Sequence, residues 1–253
     1  VLSSRLTILI MSQQILPDAL PNTATINELL SDGARRFESA ELSFGHGTAN
    51  SIDEAAWLIA AGLCHDPREP LPLNEVPRVE QRASIDELIQ RRISERKPAA
   101  YLLGEAWFAG ERYNVNENTL VPRSPLAELI MQGYAPLVDP GGIQHALDLC
   151  TGNGCIGIAT ALALPDAIVD AVDISPEAVV VAESNRLRRE VQDRFTVHCG
   201  DLFSPLPVGR KYDVIVSNPP YVDAEDMGNL PDEFMHEPEL GLASGFDGLE
   251  LTK

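Results

Sequence analysis

Residues 145–157 read His-Ala-Leu-Asp-Leu-Cys-Thr-Gly-Asn-Gly-Cys-Ile-Gly: a short apolar run, an acid near its end, then a glycine-rich turn into small and apolar residues. A turn of this kind joins a buried strand to a helix, and such a strand needs parallel neighbours to cover it. Apolar strands are predicted at Ala146–Cys150, Ile168–Val172, Phe195–His198 and Tyr212–Val216, with helices over about 155–164 and 176–191. Strands separated by helices of that length build a parallel, doubly wound α/β sheet. Ligands of such sheets sit at the carboxyl ends of the strands. Asp148, Asp173, Asp201 and Asn218 all fall at or just past those ends.

Gly152-Asn-Gly154-Cys-Ile-Gly157 satisfies the G-x-G-x-x-G pattern, and Asp173 follows about twenty residues on, where an acid accepts hydrogen bonds from ribose hydroxyls. By itself this indicates a nucleotide-like ligand, and NAD and S-adenosylmethionine share the ribose. Two features separate them. Asp148 precedes the glycines, where it would face a cationic amino-acid tail and repel a pyrophosphate. Ser217-Asn-Pro-Pro-Tyr221, at the end of the fourth strand, has no use in hydride transfer.

Composition narrows the partners. With 44% hydrophobic residues among 253 the chain can bury a core, and its net charge of -19 repels phosphate backbones. Tight nucleic-acid binding is disfavoured and a basic macromolecular partner favoured. The charge is uneven: 14 acids face 10 bases up to Lys97, and 24 face 9 beyond it. Cys64, Cys150, Cys155 and Cys199 form no CxxC pair and are expected to be reduced core residues of a cytoplasmic protein. The five histidines show no metal-ligand spacing, so no metal site is expected. Leu6–Met11 is too short for a membrane span and reads as an extended start or a tail (residues 1–22), with Met11 an alternative start.

Residues 23–97 read as a small helical domain for substrate recognition. Thr25–Glu28, Ser51–Glu54 and Ser84–Glu87 each fit a capping box. Apolar residues follow at helical spacing: Ile26, Leu29, Leu30, Phe37; Ile52, Ala55, Ala56, Ile59, Leu63; and Ile85, Leu88, Ile89, Ile93. Breaks fall at residues 45–47 and 67–77, and Lys97-Pro98 ends the last helix. Arg91, Arg92, Arg96 and Lys97 form a basic cluster suited to an acidic partner, or simply a solvated helix face with charges favourable at its C-terminus. Residues 98–123 read as a hairpin connector, with turn chemistry at Asn114–Asn118 and with Trp107 and Phe108 either lining a ligand or packing a hinge. Leu126–Tyr134 is predicted helical and 139–142 a loop.

Asp148–Gly154 with Asp173, Asp201 and Asn218–Tyr221 resembles class I S-adenosylmethionine-dependent methyltransferases, and Asn-Pro-Pro-Tyr is similar to their amide- and amine-nitrogen branch. Val121-Pro-Arg-Ser-Pro125, Pro238-Glu-Leu and Asp247-Gly-Leu, with the helical N-terminal domain, resemble the protein-glutamine methyltransferases over residues from about 25 onward. Ser124-Pro-Leu, where the release-factor branch shows Pro-Asp-Thr, is similar to the branch acting on large-subunit ribosomal protein number three. The resemblance implies a Rossmann-like sheet over residues 124–253 and S-adenosylmethionine as cofactor. Asp173, with Ile174 beside it, would hold the ribose, and Asp201 with Leu202 the adenine. Thr151, Gly152, Asn153 and Gly154 would approach the methionine moiety, with Asp148 near its ammonium. The expected substrate is a basic protein, a ribosomal protein or alternatively a release factor.

An amide nitrogen is a poor nucleophile, so its NH2 must be held with the lone pair aimed at the methyl group. The Asn218 side-chain oxygen would accept one N–H and the Pro219 carbonyl the other, with Pro219 and Pro220 stiffening the loop. The resemblance places Tyr221 against the amide plane, and Arg123 would brace the site or meet the cofactor carboxylate. Residues 223–250 hold nine acids and no Lys or Arg, a solvated face or an attractor for a basic substrate. Methyltransferases of this class have seven strands and this chain ends at Lys253 in the helix expected after the fourth, so a truncated chain is expected, with the strand carrying the tetrapeptide an unprotected edge. The competing readings are a nucleic-acid amino methyltransferase, opposed by charge; an NAD-dependent oxidoreductase, opposed by Asp148 and the tetrapeptide; and a non-catalytic binding module.

Overall fold

The computed structural model describes residues 20–135 and 137–251, so Leu6–Met11 lies outside the described residues. The described residues begin with three helices, α1 (Ile26–Ser39), α2 (Ser51–Leu63) and α3 (Val79–Glu95). Thr25 closes its capping box as expected: Glu28 Oε2 accepts the Thr25 N–H at 2.7 Å and the hydroxyl accepts the Glu28 N–H at 3.3 Å. The other two boxes are corrected. Asn50, not Ser51, caps α2, its Oδ1 accepting the Asp53 N–H at 2.9 Å. Ser51 instead donates to Glu38 on α1 at 2.7 Å, and Glu54 turns inward. Ser84–Glu87 lies inside α3, which starts earlier because Pro77 ends the extended segment and Gln81 accepts the Arg78 N–H. The buried stripe of α2 runs through Ala55, Leu58, Ile59 and Gly62, which leaves Ile52 56% exposed.

The basic cluster is not a solvated face. Arg92 is fully buried, ion-paired with Glu54 of α2 and at 3.5 Å with Glu233. Arg96 pairs with Glu233 at 3.0 Å and with Asp232 at 3.4 Å, and Lys97 with Glu117 at 2.8 Å. Of the nine acids in residues 223–250, Glu233 and Glu237 are therefore buried partners of arginines, not part of a free acidic face, while Asp232 pairs with Arg96 from the surface.

A short helix α4 (Ala99–Leu103) leads into a hairpin of β1 (Glu105–Phe108) and β2 (Glu111–Asn114). Its turn is Ala109-Gly110, both at positive φ, which matches the twist of paired strands. Asn116 forms a separate turn beyond it, its Oδ1 accepting the Asn118 N–H. Phe108 and Tyr113 are buried in the core beneath the large sheet, while Trp107 lies under the Arg112 guanidinium on the other side. Neither Trp107 nor Phe108 lines the main cleft.

After α5 (Leu126–Met131) the large sheet is entirely parallel, in the order β5 (Phe195–Cys199), β4 (Ile168–Asp173), β3 (His145–Leu149), β6 (Val214–Ser217). Helices α6 (Cys155–Ala163) and α7 (Pro176–Arg188) make the crossovers. The architecture is the Rossmann-like α/β arrangement expected, preceded by the helical bundle. Asp148 lies within β3 rather than past its end. Beyond β6, at the sheet edge, the chain makes the short helices α8 (Ala224–Met227) and α9 (Glu239–Leu242) and returns to bridge Val222 with Ala243. The four cysteines are free, but only Cys155 is a core residue; Cys64 and Cys199 are exposed. Among the described residues no helix is long and apolar enough to cross a membrane.

At Gly62 helix α2 lies tight against α3: a Cβ there would lie 2.6 Å from Ile85 Cγ1 and 3.0 Å from its backbone nitrogen. Gly62→Ala is expected to lower stability by about 1–3 kcal/mol through overpacking, measured as a reduced urea midpoint with an unchanged slope.

Candidate functional site

The register of β3 against β6 sets Leu149 opposite Ser217, so the chain leaves both strands side by side. Residues 150–154 leave one and residues 218–221 the other, and the Ser217 hydroxyl donates to the Leu149 carbonyl at 2.8 Å. The chain moves outward from β3 through β4 to β5, then returns to the far side of β3 as β6. The strand order reverses between β3 and β6, which is where doubly wound sheets take their ligands. A cleft of ≈ 220 Å³ opens there.

Thr151, Gly152 and Asn153 line its floor, Asp173, Ile174, Asp201 and Leu202 one side, and Asn218, Pro220 and Tyr221 the other. Gly152 has φ +57°, with nothing within 4 Å of where a Cβ would stand, so its backbone is open to the cleft. Asp173 holds the loops around it: Oδ2 accepts the Gly152 N–H at 2.7 Å and Oδ1 the Ser175 N–H at 2.9 Å. Each oxygen keeps a lone pair for another donor. Cys150 and Leu202 take positive φ values of 58° and 43°, an unfavourable conformation for such side chains that the surrounding loops impose. Burial and the charge of Asp173 push the Cys150 thiol up to about 11, so it stays protonated.

Two expected site residues are placed elsewhere. Asp148 is fully buried and does not line the cleft, which corrects its reading as an acid facing a cationic tail. Its Oδ2 is taken by the Gly157 N–H at 2.8 Å and the Thr151 hydroxyl at 2.5 Å, so it braces the turn from beneath. Gly154, the residue before α6, packs on Ala182 of α7, where a Cβ would stand 3.2 Å from that methyl. Pro219 is half-buried between Asn218 and Pro220, which both line the cleft.

Arg123 lines the cleft but its guanidinium is engaged. Glu237 takes it in a fork at 2.6 and 2.5 Å, also accepts the Val121 N–H at 3.1 Å, and is itself buried. Arg123 therefore braces the wall formed by Val121, Leu240 and Leu242, in favour of the first of its two expected roles. Glu237 was missed as a single residue because its partner lies 114 positions away. Asn185 was missed too. It is fully buried on α7, accepts the Asn114 N–H at 2.6 Å and donates to the carbonyls of Asn114 and Asn153 at 2.9 and 2.8 Å. A polar residue on the apolar stripe of Ala178, Val181 and Ala182 is the signal that marks it. The cleft thus offers carboxylate acceptors and open backbone at one end, and a collar of Tyr221, Leu240 and Leu242 around Asn218 at the other.

Burial lifts the Asp148 carboxyl to about 7, against its usual value near 4. A raised acid pKa means that the folded state holds the proton across about pH 4–7, so this group's contribution to stability falls as pH rises through that window. Asp148→Asn removes the titration. The variant's unfolding free energy relative to wild type is expected to rise with pH by up to about 1.4 kcal/mol per unit across the window and to level off above it. Denaturant unfolding at pH 4, 5.5, 7 and 8 measures this, and a pH-independent difference would contradict it.

Comparison with known proteins agrees with this geometry. The family described as Methyltransferase small domain matches residues 136–245. A protein of Bordetella pertussis named ribosomal protein uL3 glutamine methyltransferase is 47% identical over 232 residues, covering 90% of this chain and 77% of that one. Proteins of the same name from Burkholderia pseudomallei and Xanthomonas campestris are 43% and 45% identical, each over 90% of this chain and over 77% and 74% of their own lengths. Each match covers 90% of this chain, and the chain belongs to the family of ribosomal protein uL3 glutamine methyltransferases.

Proposed function

We propose that this protein transfers a methyl group from S-adenosylmethionine to the side-chain amide nitrogen of a glutamine in ribosomal protein uL3. The observation that carries this reading is the β3–β6 register, which places the open Gly152 backbone and the Asn218–Tyr221 loop at adjacent strand ends over one cleft. Bound there, S-adenosylmethionine supplies an electrophilic methyl group on a sulfonium.

The chain's own residues do the rest. Asp173 and Asp201 accept the ribose hydroxyls and the adenine amine, with Ile174 and Leu202 packing beside them, and Thr151, Gly152 and Asn153 approach the methionine moiety. Asp148 and Gly154 act indirectly, by fixing the turn. Asn218 accepts one amide N–H through its side-chain oxygen and the Pro219 carbonyl accepts the other, so the nitrogen lone pair points at the methyl group. These acceptors also stabilise the positive charge that grows on nitrogen, which is where fixed dipoles contribute most. Tyr221 packs on the amide plane, Pro220 stiffens the loop, and Arg123 holds the opposite wall. A ribosomal-protein substrate puts the reaction in the cytoplasm. The domain assignment follows the same logic: residues 23–97 recognise substrate, 98–123 connect, and 124–253 carry the cofactor.

Incubation with radiolabelled S-adenosylmethionine and separate pools of uL3, release factor and RNA tests the substrate. Label is expected in uL3; label in release factor or RNA alone overturns the reading. Asn218→Ala is expected to keep cofactor affinity within a few-fold while kcat falls by about 10²–10³. Equilibrium dialysis and single-turnover rates separate the two effects.

Glu225, Asp226 and Glu239 remain exposed beside the acceptor loop, set to draw in a basic substrate. The rate on uL3 is therefore expected to fall several-fold as salt rises, because exposed charges are screened. A salt-independent kcat/KM would remove that role.

A further inference from the structure

The wall of the cleft opposite the glycine turn is formed by residues 238–242, and these are anchored outside the sheet domain. Glu233 is fully buried, with no hydrogen bond to either carboxylate oxygen. What holds it is a pair of cations, Arg92 of α3 at 3.5 Å and Arg96, the C-cap of that helix, at 3.0 Å. Arg92 is itself tied to the bundle, through Glu54 and by a 2.9 Å bond to the Ser43 carbonyl. One residue on, the Phe234 ring lies 4.3 Å from the ring of buried His46 and beneath Arg123 at 5.4 Å. Burial and the nearby Arg123 and Arg92 hold His46 down to about 3, so a neutral ring fills that space between the cations. Glu237 then clamps Arg123, and the segment continues as α9 to Leu242, whose carbonyl accepts the Val222 N–H at 2.8 Å. The Ser244 N–H returns to the Val222 carbonyl at 2.9 Å, directly after Tyr221.

A continuous path thus runs from α3 of the helical bundle to the backbone of the acceptor loop. We infer that Arg92 and Glu233 are positioning residues for methyl transfer: the helical bundle sets the placement of the Asn218–Tyr221 loop through their buried ion pair, besides whatever it contributes to substrate recognition. This rests on the glutamine-methylation reading for its rate, but not for its geometry. Neither residue touches the cleft. They act on Val222 through a segment pinned at both ends, so loosening one end lets the acceptors drift from the line of transfer. The cofactor side is held by other bonds, from Asp173 to Gly152 and Ser175, and does not depend on this path.

Arg92→Met leaves Glu54 buried without a countercharge and is prone to unfold the bundle. Glu233→Gln in the full chain is the sharper test, because Arg92 keeps Glu54. Hydrogen exchange is expected to quicken at least tenfold at the Val222 and Ser244 amides, with protection in α1–α3 and β3–β5 retained. S-adenosylmethionine affinity should stay within twofold, while kcat on uL3 falls at least tenfold and KM changes less than threefold. Arg96→Gln is expected to move the same quantities in the same direction, less far. Unchanged exchange at Val222 and Ser244 overturns the inference, as does a uniform loss of protection or an unchanged kcat. Should wild type fail to label uL3, the substrate reading falls, while the exchange result still decides the role of the ion pair.

Discussion

One parallel pairing governs this molecule. With Leu149 opposite Ser217, the turn after β3 and the loop after β6 emerge within reach of each other, and every other feature of the site is a means of holding them there. Slipping the register by one residue would turn Leu147 and Asp148 to the opposite face. Leu147 is buried against Leu206 and Tyr212, and Asp148 is bonded to the turn, so both faces of β3 resist such a slip. Asp173 secures the neighbouring strand end by taking the backbone of the glycine turn itself.

Charges that sequence suggests for solvent are instead spent inside. Arg92, Glu54, Glu233 and Glu237 are all at most 6% exposed, and together with Arg96 and Arg123 they join the helical bundle, the strap around Val121 and the segment after the acceptor loop. Such clusters contribute little net stability compared with apolar packing, but removing one member strands a buried charge. They therefore favour one relative placement of the parts strongly over its alternatives. That suits a site built from three separate stretches of chain.

Much of this was legible in the sequence where the signal is local. The strand and helix alternation after His145, the glycine turn, Asp173 and the Asn-Pro-Pro-Tyr run are short-range patterns, and the sheet falls within a residue or two of each predicted strand. The misreadings share a cause. Asn50 displaces Ser51 as a cap because Ser51 finds Glu38 on another helix, and Arg92 is internal because Glu54 and Glu233 reach it from 38 and 141 positions away. Asp148 was given the right importance and the wrong direction: an acid before a glycine turn can face the ligand or brace the turn, and the Gly157 N–H decides for bracing. Tertiary partners chose among locally reasonable options, and no spacing rule records those partners.

The bond from Val121 to Glu237 spans 116 positions, and its length along the chain gives it a meaning in time as well as in space. A ribosome delivers the glycine turn, β4 and β5 well before it delivers Glu237. The opposite wall closes only when that residue arrives, with its partner Arg123 already in place. Pairings this remote are formed late because the intervening chain must first lose its freedom. A nascent chain therefore carries half of a cofactor site long before it has a whole one, and its bundle of three helices waits, with Arg92 already set against Glu54, for Glu233 to join it.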